Sequence, residues 1–184
     1  MTGFSSFFTA RTAGPDDTRR LAAKLTDELV DGDVVVLTGD LGAGKTCFTQ
    51  GLGQGLGVED RITSPTFTLA NRYSGGGEFK HLELNHLDVY RLESPSEVED
   101  LGLSELFEGG VTVVEWGDRI ADVLPATHLQ VHLRYPPLTS TEPVLGDEEE
   151  FVAPVERTLD FQAQACSDWP TRGLQTHLGR WATA

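Results

Sequence analysis

The amino-acid sequence predicts an α/β fold with a mixed β-sheet, on three observations. A short apolar run, Val34-Val35-Val36-Leu37, leads straight into a glycine-rich loop and then a helical pattern. A second apolar run, Val111 to Val114, ends on an acid, Glu115. Alternating segments set apart by turn residues lie between and after these runs, the pattern of antiparallel strand pairs. Strand, loop and helix first, with hairpins later, make the sheet mixed.

In chain order, Asp16 to Val30 reads as a helix, with Leu21, Leu25 and Leu29 at i, i+4, i+8 and Ala22 beside them. Pro15 stands near its start, where a missing N–H costs nothing. Asp31-Gly32-Asp33 breaks the chain, and Val34 to Leu37 suits a strand buried on both faces. Phe48, Leu52 and Leu56 form the stripe of a second helix. Gly51, Gly53 and Gly55 weaken that helix by roughly 1 kcal/mol each relative to Ala, which tight packing against the sheet is expected to offset. Thr66 to Tyr73 alternates, Ser74 to Gly77 turns, and Phe79 to Tyr90 is extended, so an antiparallel hairpin is expected. Ser94-Pro95-Ser96-Glu97 is a helix start, with Ser as cap, Pro first and Glu third. Val98, Leu101 and Leu106 continue its apolar side, with an interruption at Gly102. Val111 to Val114 is a buried strand, and His128 to Tyr135 alternates as another. Pro136 to Glu150 is a polar, acidic loop, and Phe151 to Phe161 is expected to return as a hairpin partner. The stretch from Ser167 fits a short helix and a loose tail equally well.

Composition limits the function. A length of 184 residues suits one α/β domain over 1–184, with an inserted loop at 139–150 and a C-terminal tail at 167–184. No run approaches the roughly 18 apolar residues of a membrane span. Met1 to Thr12 lacks the basic flank and apolar stretch of a signal peptide, despite its phenylalanines. Cys47 and Cys166 make neither a disulfide framework nor a metal-ligand spacing. A cytoplasmic protein with no membrane partner is expected. The net charge of −15 argues against autonomous nucleic-acid binding. Lysine occurs only at 24, 45 and 80, which makes the placement of Lys45 inside the glycine loop more telling.

Gly39-Asp40-Leu41-Gly42-Ala43-Gly44-Lys45-Thr46 matches the pattern G-x-x-x-x-G-K-[ST]. In such a loop, successive backbone N–H groups surround a phosphate and the following helix points its positive end at it. Lys45 would bridge the β- and γ-phosphates, and Thr46 would set its hydroxyl on Mg²⁺. The strand before the loop and the helix after it predict a P-loop NTPase, a three-layer sandwich. Such a site needs a carboxylate from a neighbouring strand, and Glu115 and Asp88 both stand at strand ends. Spacing does not rank them; one can serve the metal and the other the attacking water. Thr63-Ser64-Pro65-Thr66 lies where switch segments often sit, and a hydroxyl there can sense the γ-phosphate. Trp116 can border the nucleotide. Arg91 can stabilise charge or pair with Glu93. His81 and His86 fall on opposite strand faces, so they do not share a metal.

Taken in order, GDLGAGKT, SPTF, HLDVYRL, an LG with a nearby Glu, and VEW resemble one family, TsaE (formerly YjeE). This is the bacterial ATPase of tRNA threonylcarbamoyladenosine biosynthesis. The resemblance runs from about Thr18 to Leu133. It implies a cytoplasmic ATPase using ATP and Mg²⁺, which assists threonylcarbamoylation of adenosine 37 in tRNAs reading ANN codons. It also implies action through TsaD and TsaB, with tRNA met only through their complex. By position, Leu41, Gly42, Ala43, Gly44, Lys45 and Thr46 would bind the phosphates, and Thr46 and Glu115 the ion. Asp88 would help hydrolysis, Thr66 would be the switch hydroxyl, and Trp116 would lie near the nucleotide. The helix start from Pro15 to Thr18, and Glu156 or Arg157, would approach the nucleoside. Cys47 stands where the family more often has a second Thr. A small-molecule kinase is the rival enzyme, but the loop at 139–150 carries none of the arginines of a kinase lid. A non-catalytic nucleotide switch is the third reading, and the presence of both Asp88 and Glu115 argues against it. No Asn-Lys-x-Asp string is present, so ATP is favoured over GTP.

Overall fold

The computed structural model describes residues 4–92, 96–100, 102–135, 156–164 and 167–183. Its strands are β1 (Phe4–Thr12), β2 (Val34–Thr38), β3 (Ala70–Ser74), β4 (Glu83–Asp88), β5 (Val111–Glu115), β6 (Leu129–Arg134) and β7 (Arg157–Gln164). The α-helices are α1 (Pro15–Leu25), α2 (Lys45–Gly55), α3 (Ser96–Asp100) and α4 (Leu174–Leu178). The strands form one sheet in the order β1-β7-β6-β2-β5-β4-β3. β6, β2, β5 and β4 run parallel, while β3 and β7 are antiparallel to their neighbours and β1 is antiparallel to β7. The sheet is mixed, as expected.

Every residue of β2 is buried, as its continuous apolar run requires. Its side chains alternate between two cores. Val35 and Leu37 join Leu21, Leu25, Phe48 and Leu52 on the α1/α2 side. Val34 and Val36 join Leu87, Val114 and Ile120 on the other. The glycines of α2 are explained by close approach. A Cβ at Gly51 would lie 2.4 Å from the carbonyl oxygen of Arg19 and 2.7 Å from the Ala22 Cβ. Packing against α1, as much as against the sheet, therefore offsets the weak propensity.

Five segments differ from expectation. The run expected to be extended from Phe79 is turned over Gly77–Phe79 and becomes strand only at Glu83. Helix α1 ends at Leu25 rather than Val30; a 3₁₀ turn over Thr26–Glu28 follows, and Leu29 is already extended. Residues 66–69 form a turn, with the N–H groups of Thr68 and Leu69 both donating to the Pro65 carbonyl and Leu69 at φ 65°. The hairpin strand therefore starts at Ala70. Strand β1 was not anticipated. The stretch from Ser167 folds as short 3₁₀ turns around α4, placing Trp169, Leu174, Leu178 and Trp181 in the core. Arg172 fastens it, with Nη1 2.6 Å and Nη2 3.0 Å from the Asp33 carboxylate and the guanidinium 3.9 Å from the Trp169 ring. Strand β7 pairs with β6 as the predicted return, starting at Arg157. Ser94 and Pro95 of the expected helix start, Leu101, the loop at 139–150 and the return at 151–155 lie outside the described residues.

Candidate active site

Strand β2 delivers the chain into the glycine loop at the C-terminal end of the parallel strands, beside the ends of β4 and β5. Gly39 has φ 127°, and a Cβ there would fall 2.2 Å from the Leu133 carbonyl oxygen on β6, so no other residue fits the turn. Gly42 and Gly44 also have positive φ. Gly44 is the N-cap of α2 and no side chain caps it, so the first N–H groups of α2 are left for an outside acceptor.

Lys45 is 4 % exposed. Its ammonium donates to the carbonyls of Gly39 at 2.7 Å and Asp40 at 2.8 Å, and it lies 3.5 Å from the centre of the Trp116 ring. Burial pushes its pKa below the ordinary lysine value, against the pull of Glu115, Asp88, Asp118 and Asp40. Thr46, next in α2, donates its hydroxyl to Glu115 Oε2 at 3.0 Å. Glu115 ends β5 and is 2 % exposed; its Oε1 lies 2.8 Å from Nε2 of His86 on β4.

The register of β4 on β5 sets Asp88 beside Glu115. The two acids nonetheless have separate partners. Asp88 Oδ2 accepts the hydroxyls of Ser64 and Thr66, each at 2.6 Å, and Oδ1 accepts the Tyr90 N–H at 3.1 Å. Between the loop and this 64–66 segment lies a cleft of about 390 Å³, lined by Leu41, Gly42, Gly44, Lys45, Thr46, Ser64, Thr66, Asp88, Glu115 and Trp116, with Cys47 and Tyr90 at its border. Burial raises the Cys47 thiol, which donates to the Pro15 carbonyl at 3.1 Å.

Ten of the twelve predicted site residues are thus together around the loop, counting Ala43, which is buried behind it with its carbonyl facing Arg157. Arg157 props the loop from outside, with Nε 3.0 Å from the Ala43 carbonyl, and stacks 4.3 Å from the Tyr135 ring. Thr18 is not in the cleft. It is 1 % exposed, and its hydroxyl is spent on Thr12 and the Gly14 carbonyl. Asp17 of that helix start, half-buried, lines a smaller pocket of about 290 Å³ with Arg11, Thr12, Ala13, Glu156 and Arg180. Burial works to raise the Asp17 carboxyl, but bonds from the Ala13 N–H, Trp181 Nε1 and Arg20 outweigh it and hold the carboxyl below its usual range. Arg91 stacks on the exposed Phe67 ring, 4.2 Å from its centre. The contacts of Ser64 and His86 were missed from the sequence. The signal for His86 was its place two residues before Asp88, on the same strand face.

Thr46, Glu115 and Asp88 form an all-oxygen donor set suited to a hard cation. Among the described residues no three His, Cys, Asp or Glu side chains gather to hold an ion by themselves. The hydroxyl and carboxylate oxygens are of the kind that suits Mg²⁺, which is bound through one or two carboxylates and completes its shell with phosphate and water.

Residues 12–140 match the family model for the threonylcarbamoyl adenosine biosynthesis protein TsaE. The tRNA threonylcarbamoyladenosine biosynthesis protein TsaE of Bacillus subtilis is 46 % identical over 125 residues, covering 67 % of this chain and 75 % of that protein. The protein of the same name from Treponema pallidum is 48 % identical over 119 residues, covering 64 % and 84 %. The crystal structure of Bacillus subtilis YdiB superposes with a TM-score of 0.66 at 34 % identity, covering 98 % of this chain and 97 % of that one. With the glycine loop, both strand-end acids and the mixed sheet in place, the chain belongs to the TsaE family and has its P-loop NTPase fold.

Proposed function

We propose that the protein is an ATPase that drives threonylcarbamoylation of N6 of adenosine 37 in tRNAs reading ANN codons, acting in the cytoplasm with TsaD and TsaB. The observation that carries this is the convergence of Lys45, Thr46, Glu115 and Asp88 on one cleft beside an uncapped helix start. The α2 N–H groups and Lys45 would bind the phosphates, with the ammonium leaving the Gly39 and Asp40 carbonyls for the β- and γ-phosphate oxygens. Thr46 and Glu115 would hold Mg²⁺, which when bound neutralises charge on those oxygens. Asp88 would orient the attacking water once Ser64 and Thr66 release it. The nucleoside would extend toward the start of α1, where Asp17 and Glu156 are better placed than Thr18 to meet it. Arg157 would act by supporting the loop.

The protein does not itself transfer the threonylcarbamoyl group, and it meets tRNA only through the complex, as its charge of −15 favours. Hydrolysis by the isolated protein is slow for two reasons. Asp88 Oδ2 is engaged by two hydroxyls, and among the described residues no arginine lines the cleft to stabilise the developing charge. Docking on TsaD and TsaB would reorganise the 64–66 segment or supply the missing group. The test is steady-state ATP hydrolysis by the protein alone, with each partner and with both, beside multi-turnover threonylcarbamoyl transfer. Stimulation by the full mixture and loss of multiple turnovers without this protein are expected. Transfer independent of this protein, with active partners, would overturn the reading.

A further inference from the structure

His86 is fully buried in the sheet, and neither the P-loop chemistry nor the phosphate contacts use it. Its Nε2 lies 2.8 Å from Glu115 Oε1. A carboxylate only accepts, so the ring nitrogen donates. Its Nδ1 is the one buried side-chain polar atom without a partner among the described residues. Burying an unpaired ring nitrogen costs stability, and an apolar residue would avoid that cost. The Glu115 carboxylate is gripped at both ends, Oε1 by His86 and Oε2 by Thr46. Because Asp88 registers with Glu115, His86 reaches Glu115 diagonally from two residues earlier on β4. A carboxylate held at one oxygen alone can turn about its side-chain torsions. Held at both, it keeps Oε2 toward Thr46.

We propose that His86 is a positioning residue for cation binding: its imidazole fixes the Glu115 carboxylate so that Oε2 and the Thr46 hydroxyl face one ion together. Outer contacts of this kind set ligand orientation and affinity at metal sites. The inference rests on Glu115 being the ion's carboxylate, as proposed above.

The test compares His86→Gln with His86→Met. The two side chains have the same length and differ in the terminal donor, and both remove the orphaned Nδ1. ADP binding is measured by calorimetry with Mg²⁺ and with EDTA, with Glu115→Ala alongside. His86→Met is expected to lose about 10- to 100-fold in Mg²⁺-supported ADP affinity, while His86→Gln stays within about threefold of the unsubstituted protein. ADP binding in EDTA is expected to be unchanged in both, which shows the fold and the loop intact. Should His86→Met lose its fold, His86→Asn replaces it, its amide one carbon too short to reach Oε1. Full Mg²⁺ support in His86→Met, with Glu115→Ala impaired, would overturn the positioning role alone. An equal loss in His86→Gln and His86→Met would also overturn it, because the ring would then matter as packing. Full Mg²⁺ support in Glu115→Ala would overturn the reading of Glu115, and this inference with it.

Discussion

One wall of the cleft is carried by regular elements and the other by a turn. Lys45 and Thr46 open helix α2 and Glu115 closes strand β5, so their backbones are fixed by helix and sheet hydrogen bonds. Lys45 and Glu115 are almost wholly buried. Facing them, Ser64 and Thr66 sit outside any strand, tied to the sheet through Asp88, and Phe67 between that turn and solvent is 84 % exposed. The contrast separates the two acids that spacing alone left equal. Glu115 belongs to the rigid wall, suited to a permanent ligand. Asp88 closes strand β4 and is just as buried, but its Oδ2 is what holds the turn, so its partners suit a step that must be switched.

The comparison breaks at its strongest point if Lys45→Ala still binds nucleotide. Removing a desolvated, charge-assisted contact to phosphate should weaken ADP binding by on the order of 100-fold or more and take ATP turnover to background. Calorimetry and a phosphate-release assay read both. Asp88→Asn should instead bind MgATP within about threefold while hydrolysis falls by about 100-fold. The reverse pattern, weak Mg²⁺-dependent binding with little change in rate, would exchange the roles of the two acids. A pH series sharpens the rigid wall further. Burial lowers the Lys45 pKa in the free protein, whereas phosphate needs the charged ammonium. Nucleotide affinity should therefore hold at neutral pH and decline as pH rises through that lowered pKa, by up to about tenfold per unit. An onset at or above the ordinary lysine range would deny the burial effect. The smallest expected effect is on the wall made by the turn. Ser64→Ala should leave nucleotide affinity unchanged, alter basal turnover only a few-fold, and speed amide exchange around residues 63–68. No change in exchange would show that the segment is not held by Asp88.

What was legible in the sequence follows from how local each signal is. The glycine loop is contiguous, and its chemistry demands those residues at that spacing, so its strand, its helix and the placing of Lys45 and Thr46 could be read from eight positions. The two acids were found but not ranked, because their difference lies in cross-strand partners that no spacing encodes. Strand β1 was hidden by a register shift between Ser6 and Phe8, which sets Phe7 and Phe8 side by side and spoils the alternation. The alternation from Thr66 predicts a strand there, but the turn closed on Pro65 takes those residues first. The family resemblance points Thr18 toward the nucleoside, yet the backbone of Gly14 and the hydroxyl of Thr12 claim it. The core role of the C-terminal stretch depends on Trp181 reaching Asp17 of α1, 164 residues away, and on Trp169 reaching the Thr127 carbonyl, 42 residues away, partners for which the stretch itself carries no period.

Strand β1 is an outer strand of the sheet, and an outer strand offers unpaired backbone groups to any extended segment that approaches. Here Ala182 bridges to Ala10 and the Thr183 N–H donates to the Thr9 carbonyl, so part of that edge is already taken by the protein's own tail. By covering those backbone groups the tail limits what an approaching strand can pair with, besides packing the core. Cutting the chain after Leu178 would open a strand rich in phenylalanine and threonine to strand exchange between molecules, and light scattering of the shortened protein would register it before any loss of nucleotide binding did.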